Sequence, residues 1–366
     1  MKLRERISWL MGYVQKSLLP HLDECFDIPL TEHEQHLVAI LEIVEVEKYV
    51  IRRSSTQWLG RKLLTREAIA RAYVAKAFCR YPTTRDLIRA LQSSVSMRLI
   101  CGFEALCDIP SEATFSRAFK EFSESALGER VHDALVQDYL ADEIIGHISR
   151  DSTAIVGREK PAKKTKKAKK LRKRGRPAKG EKREPAKTRL ARQSDQSAEE
   201  AIAELSTVCD RGTKKNAKGY KTSWNGYKLH LDVNDTGLPV SALVTSASVH
   251  DSQVGIPLIK MTSGKVTYLY DLMDAAYDAS LIRDISRELG HVSIIDRNSR
   301  GQDIPPMAPH ESERYKQRSA AERANARLKE DFGVVNVRVK GHAKVTMHLM
   351  FGILTLFADQ LIRLLA

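Results

Sequence analysis

Three carboxylates stand in settings where acids do chemistry. Asp151 lies within His147 to Ile155, an apolar-flanked stretch that reads as a strand. A charge there is costly unless it has a partner such as a metal ion. Asp274 falls just past a second predicted strand, Val266 to Tyr270, where open α/β sheets place their ligands. Glu322 belongs to a late helix. Carboxylates from two strands and a helix, distant in sequence, can converge on hard divalent cations that take oxygen ligands. Asp271, three residues before Asp274, competes for the second position.

The helix carrying Glu322 extends the pattern. With Tyr315 at 0° and about 100° per residue, Arg318 falls near 300°, Glu322 near 340°, Asn325 near 280° and Lys329 near 320°. Five polar side chains then share an arc of roughly 80°, which an ordinary solvated helix face can also produce.

The run from Tyr315 through Arg318 and Glu322 to Lys329 resembles the Y-x2-R-x3-E-x6-K signature of DDE transposases encoded by bacterial insertion sequences. Asp274-Ala275-Ala276-Tyr277 is similar to the segment around the second aspartate of that family, although a glycine often precedes the aromatic residue there. Asp151-Ser152-Thr153 is similar to the segment around the first. The resemblance covers Gly146 to the C-terminus apart from a basic insert. It implies an RNase H-like core in which Asp151, Asp274 and Glu322 bind two Mg²⁺ ions, with Mn²⁺ as an alternative. A paired-metal site orients the nucleophile and stabilises the leaving oxygen of an in-line phosphoryl displacement. Arg318 and Lys329 are then expected to grip the flanking phosphates, Arg as a planar fork and Lys as a point charge, and Tyr315 to donate a hydrogen bond or stack.

The implied partners are DNA, both element ends and target, and a second copy of the chain bridging two ends. No membrane and no small-molecule substrate is expected, and the implied place is the bacterial cytoplasm, at the nucleoid. The function expected is binding of terminal repeats, metal-dependent strand cleavage and strand transfer. A nuclease of the same fold without strand transfer, and a catalytically silent DNA-binding derivative, are the alternatives.

Positioning such residues takes two kinds of architecture. Residues 1–145 read as helical. Thr31 and Glu34 resemble a capping box followed by apolar residues at helical spacing. A second helix runs from Thr65 to Cys79, Thr83 or Thr84 caps a third, Met97 to Ile100 make a turn, and Pro110-Ser111 opens a helix with Phe115, Ala118, Phe119 and Phe122 on one side. Arg117 and Lys120 face outward on that last helix, as in a helix-turn-helix reader, a pattern that any small helical bundle with basic outer faces also gives. From 146 to 366 the order is three strands, a helix, a strand, a helix, a strand and then helices, which is α/β with a mixed sheet. A basic disordered insert is expected at 157–215.

Composition bounds the rest. The 366 residues carry a formal charge of +14, and Arg158 to Arg189 holds 17 Lys/Arg against 3 Asp/Glu, so the remainder is neutral. With 42% hydrophobic residues the chain can bury a core, which excludes wholesale disorder. The basic tract has Leu171 as its only large aliphatic residue. Within it, Arg174-Gly175-Arg176-Pro177 matches an AT-hook core for the minor groove, or is part of a generic polycation. Five scattered cysteines without a CxxC pair exclude a disulfide framework or zinc site and read as buried small hydrophobes. The apolar stretch from Leu349 to Ala358 is too short to span a bilayer. His250-Asp251 reads as a strand-end hydrogen-bonded pair or as a contact to metal or DNA, and Trp224 as a core residue or as a platform on which an unpaired base stacks.

Overall fold

The computed structural model describes residues 29–51, 66–162, 187–215, 219–298, 303 and 306–365. The helical region contains α1 (Glu32–Val44), α2 (Arg66–Phe78), α3 (Thr84–Ser93), α4 (Val95–Ile100), α5 (Glu112–Glu124) and α6 (Leu127–Leu140). Local sequence sets several of these ends. Thr31 and Glu34 form the expected capping box on α1, and Thr83 forms one with Asp86 on α3, each satisfying backbone donors that helix geometry leaves free. On α5, Phe115, Ala118, Phe119 and Phe122 are buried as the spacing predicts.

The sheet that follows comprises β1 (Ile144–Val156), β2 (Asp210–Lys215), β3 (Lys221–Asn234), β4 (Pro239–Ser246), β5 (Thr267–Met273) and β6 (Val292–Ile295). β5 pairs in parallel with β1 and with β6, whereas β3 runs antiparallel to β1, β2 and β4. The spatial order β4-β3-β1-β5-β6 therefore has one reversed member, with β2 extending the sheet along the first half of β3. This open mixed sheet is flanked by helices on both faces and is RNase H-like. Packed between the strands in sequence are α7 (Arg189–Asp195), α8 (Ala198–Ala203), α9 (Ser252–Ser263) and α10 (Ser280–Glu288), followed by α11 (Pro309–Tyr315), α12 (Ser319–Glu330) and α13 (His342–Arg363).

One face of the sheet, through Leu229, Leu231 and Val233, packs against Ala320, Ala321, Ala324 and Leu328 of α12 and Leu349, Ile353 and Leu356 of α13. The opposite face meets α9 and α10 through Ile256, Ile259, Met273, Ile282 and Ile285. α13 also joins the core of the helical region through Met347, Phe351, Leu354, Phe357 and Leu361. At 22 residues it is the one helix among the described residues long and apolar enough to cross a membrane, and 83% of its most apolar stretch is buried. The helix extends well beyond the Leu349 to Ala358 run, because its flanking turns mix polar residues into the same buried cylinder.

Residues 187–215 correct the expected insert at 157–215. Thr188 caps α7, and Ser197 with Glu200 forms a capping box on α8. Leu190 packs onto the core between α9 and α10, and Leu205 joins Val249, Val254 and Leu258. Lys260 Nζ donates to the Gln193 and Ser194 carbonyls at 2.9 Å, satisfying the end of α7 with a cation. The basic run itself ends at Arg189, and most of these local signals lie beyond it. The AT-hook-like Arg174 and Arg176 lie outside the described residues. Of the cysteines, Cys101 and Cys209 are buried, Cys79 is half-buried and Cys107 is exposed, so burial fails as a general account of them. Cys25 lies outside the described residues.

Candidate active site

The β1–β5 register decides which acids meet. Ser149 is paired with Leu272 and Ile148 with Asp271. Two residues on, Asp151 stands level with Asp274, and alternation puts both on the face covered by α12. Asp271 projects to the other face. There it is fully buried, accepts from Ser286 Oγ at 2.7 Å and Tyr268 Oη at 3.1 Å, and lies 3.4 Å from Arg150 Nη1. Arg150 is held by Asp232 at 2.6 and 2.8 Å. That ion-paired network is structural, and Asp271 drops out as a competitor for the acid site.

Asp274 follows directly on β5 and caps a short 3-10 turn, accepting from the Ala276 amide at 3.0 Å. Neither Ala275 nor Ala276 has a positive φ, so this turn needs no glycine. Asp151 accepts from Asn325 Nδ2 at 3.1 Å. Asn325 is 5% exposed, and its Oδ1 has no hydrogen-bond partner. Burial raises the pKa of Asp151, and the neighbouring Asp274 carboxylate adds to the rise. Burial likewise raises that of Asp274, with Asp251 contributing. Each acid is thus desolvated beside another negative group.

Arg318 opposes this field. It is within electrostatic range of Asp151, Asp274, Glu322 and Tyr315; burial disfavours its charge, but these neighbours outweigh that and raise its pKa. Its guanidinium is ion-paired with Glu322, whose side chain is 53% exposed. Among the described residues no three His, Cys, Asp or Glu side chains are gathered closely enough to hold a metal ion. The structure therefore brings Asp151 and Asp274 together and leaves Glu322 outside, on Arg318. The donor set beside the acid pair, two carboxylates and the unpartnered amide oxygen of Asn325, is all oxygen and fits a hard divalent cation.

Tyr315 ends α11, and a 3-10 turn over 316–318 separates it from α12. A single continuous helix does not hold for this run, since the tighter winding of the turn changes the angular spacing. Tyr315 still reaches the site. Burial pushes its phenol up to about 12, with Arg318 opposing and Asp296, Asp274 and Glu322 adding, and the Arg318 guanidinium sits 5.7 Å from its ring centroid. Lys329 is half-buried, and its pKa is lowered by burial and by Lys214.

Lys214 is a site neighbour that sequence reasoning missed. It lies exposed on β2 and acts on Asp151, Asp274 and Lys329. Asp251, from the His250-Asp251 pair that the sequence singles out, is a second neighbour. Burial disfavours its charge, yet His230 and Lys228 hold it below the ordinary carboxylate range, with Lys228 Nζ at 2.9 Å. His250 Nδ1 is paired instead with Ser252 Oγ at 2.9 Å, so the expected His250–Asp251 hydrogen bond is absent. Trp224 is half-buried, donates to the Tyr227 carbonyl at 3.0 Å and covers Gly212 across the β2–β3 pairing. It is a hairpin cover rather than a core residue. Arg117 and Lys120 are exposed on α5, with Arg117 donating to Thr114 at 3.1 Å and Lys120 lying 3.5 Å from Glu124.

A mixed sheet with one reversed strand, carrying two desolvated aspartates level on its central parallel strands, defines an RNase H-like nucleic-acid enzyme. The chain belongs to the DDE transposases of insertion sequences: residues 145–358 match the transposase DDE domain, and residues 26–121 match a transposase domain, DUF772. The family acts on DNA and generally uses divalent metal ions. No curated protein and no solved structure matches the chain.

Proposed function

We propose that this transposase binds the terminal repeats of its own element, cleaves the DNA strands there and joins the freed ends to target DNA, with Asp151, Asp274 and Glu322 as its catalytic acids. The observation that carries this reading is the β1–β5 register, which continued by two residues sets Asp151 level with Asp274, both desolvated, beside the unpartnered Oδ1 of Asn325. These residues would hold divalent ions, Mg²⁺ or Mn²⁺ and two per site, with Glu322 completing the set. When bound, such ions stabilise charge on the attacking and leaving oxygens of an in-line displacement.

The remaining groups bind and orient. Arg318 gives up Glu322 when a DNA phosphate offers its guanidinium a bidentate partner, which frees the carboxylate to turn toward Asp151 and Asp274. Lys329 and Lys214 supply positive charge on the flanks of the acid pair. The Tyr315 phenol, pushed up to about 12, keeps its proton at neutral pH and serves as a donor. Arg117 and Lys120 on α5 contact the repeat, Arg174 and Arg176 of the basic tract lie along the minor groove, and two copies bridge two DNA ends.

The test supplies purified protein with Mg²⁺ and DNA carrying the sequences that flank its gene, intact or already cut. Cleavage at a defined terminus together with joined products from the pre-cut ends is the expected result. Cleavage without joining would replace the transfer reading with that of a nuclease, and neither product would leave a DNA-binding derivative.

A further inference from the structure

Between the helical region and the segment entering α13 lies an open cleft of about 680 Å³. Lys76 of α2, Arg85 of α3 and Arg158 beyond β1 line one part of it, and Arg338, Lys340 and Lys344 line another. Glu112 is the one acidic side chain on its walls, and Arg85 engages it at 2.7 Å. Among the described residues, Lys76, Arg338, Lys340 and Lys344 have no carboxylate partner within ion-pair distance. Burial pushes the Lys76 ammonium down to about 8, with Asp86 opposing and Arg338 adding to the effect. Asp86 is itself committed to Thr83 Oγ1 at 2.6 Å and to Arg89 at 3.4 Å. The cleft therefore concentrates positive charge that the protein does not neutralise.

Its chemistry selects the ligand. Lysine and arginine side chains, with the hydroxyls of Thr84 and Ser116 beside them, are the groups that hold phosphodiester oxygens. Of the three rings on the wall, Tyr73 and Phe119 are 5% and 6% exposed, and the half-buried His348 is held to the Val334 carbonyl at 3.3 Å, so the cleft offers no fully exposed ring as a stacking platform. Ser116 shares α5 with the exposed Arg117 and Lys120, which continues the polar surface out of the cleft. No acid-site residue lines it.

We propose that this cleft is a second DNA site, separate from the acid pair, that takes the phosphodiester backbone of duplex DNA without reading its bases. The choice of DNA as the polyanion rests on the transposase reading. The cleft anchors the DNA against both the helical region and the catalytic domain, which share its walls.

The full-length protein tests this with a fluorescein-labelled duplex of mixed sequence titrated at several salt concentrations. Lys340→Ala with Lys344→Ala is expected to weaken binding and to reduce the slope of log K against log salt by up to about 0.9 for each phosphate no longer neutralised. Lys48→Ala with Arg287→Ala removes the same charge at exposed positions outside the cleft and is expected to leave the slope unchanged. Acetylation footprinting of the unaltered protein adds a readout that does not depend on folding of a variant: the duplex should protect Lys340 and Lys344 and leave Lys48 labelled. Equal slopes for the two variant pairs, or unchanged labelling of Lys340 and Lys344 on binding, would overturn the site. Failure of the transposase reading looks different, since the mixed-sequence duplex would then still protect both lysines while separate DNA bearing the element's ends is never cut.

Discussion

Asp274 and Asp271 are three residues apart, an odd spacing that sends them to opposite faces of the β5 pleat. Asp274 meets Asp151 beneath α12, whereas Asp271 is gripped by Arg150, Tyr268 and Ser286. Their substitutions should part accordingly. Asp271→Ala leaves Arg150 and two hydroxyls short of an acceptor in the interior, at a cost of about 3–5 kcal/mol, and denaturant titration should show that loss. The conservative Asp271→Asn should still cut DNA, while Asp274→Asn should keep its fold and cut nothing. Sequence context picked out Asp151 because a carboxylate within an apolar-flanked strand needs a partner, and Asp274 because it falls past a strand end, where open α/β sheets place ligands. It placed Asn325 on the right arc as well, without revealing that its amide reaches Asp151. Lys214 was not legible, and Asp251 was legible only as half of the His250-Asp251 pair. Lys214 is one basic residue in a charge-rich stretch, and only the β2–β3 pairing carries it to the site. Asp251 looks like half of a local pair until the fold puts Lys228 and His230 beside it.

The elements that deliver these side chains depend on a few close approaches. Gly226 of β3 has a φ of +152°, and a Cβ there would fall 2.2 Å from the Ile155 carbonyl and 2.4 Å from the Gly157 amide. That close approach seals the β1–β3 ladder a few residues from Asp151, with β2 pairing on the same glycine. Gly226→Ala should destabilise the fold by several kcal/mol through backbone strain and a broken ladder, seen as a lower unfolding midpoint with weaker cleavage. The succession of five strands along the chain was readable from alternation and turn residues, whereas β2 was not, because it falls in the stretch read as an insert, and the pairing order follows only from the fold. The break at 316–318 was not readable either, since α11, the 3-10 turn and α12 run through Tyr315 to Lys329 without a glycine or proline to mark it. The consequence falls on Glu322, which the sequence groups with the other acids and the structure pairs with Arg318.

At the scale of the molecule, charge and burial act in separate places. Residues 163–186 carry most of the basic tract, while Arg158 lines the cleft and Arg189 Nη1 donates to Gln253 at 2.5 Å. A deletion limited to 163–186 should therefore flatten the salt dependence of DNA binding without removing cleavage, and an unchanged salt slope would count against a role for the tract. Acid should weaken the fold through His132. Burial lowers its pKa from 6.5 to about 4, with Lys265 adding and the Pro239 carbonyl and Asp133 opposing. Below about pH 6.5 the unfolded chain takes up a proton that the folded chain refuses, so stability falls as pH drops toward 4, by about 3 kcal/mol for this group. His132→Gln should flatten that part of the pH profile in denaturant titrations. The proposed reaction requires three acids, Asp151, Asp274 and Glu322, to act together on DNA. The most direct measurement pairs binding with Mg²⁺-dependent cleavage on DNA bearing the element's own ends, for the unaltered protein and for Asp151→Asn, Asp274→Asn and Glu322→Gln. Each variant should bind as the unaltered protein does and produce no cut, and metal-dependent cleavage retained by any of the three would contradict the assignment.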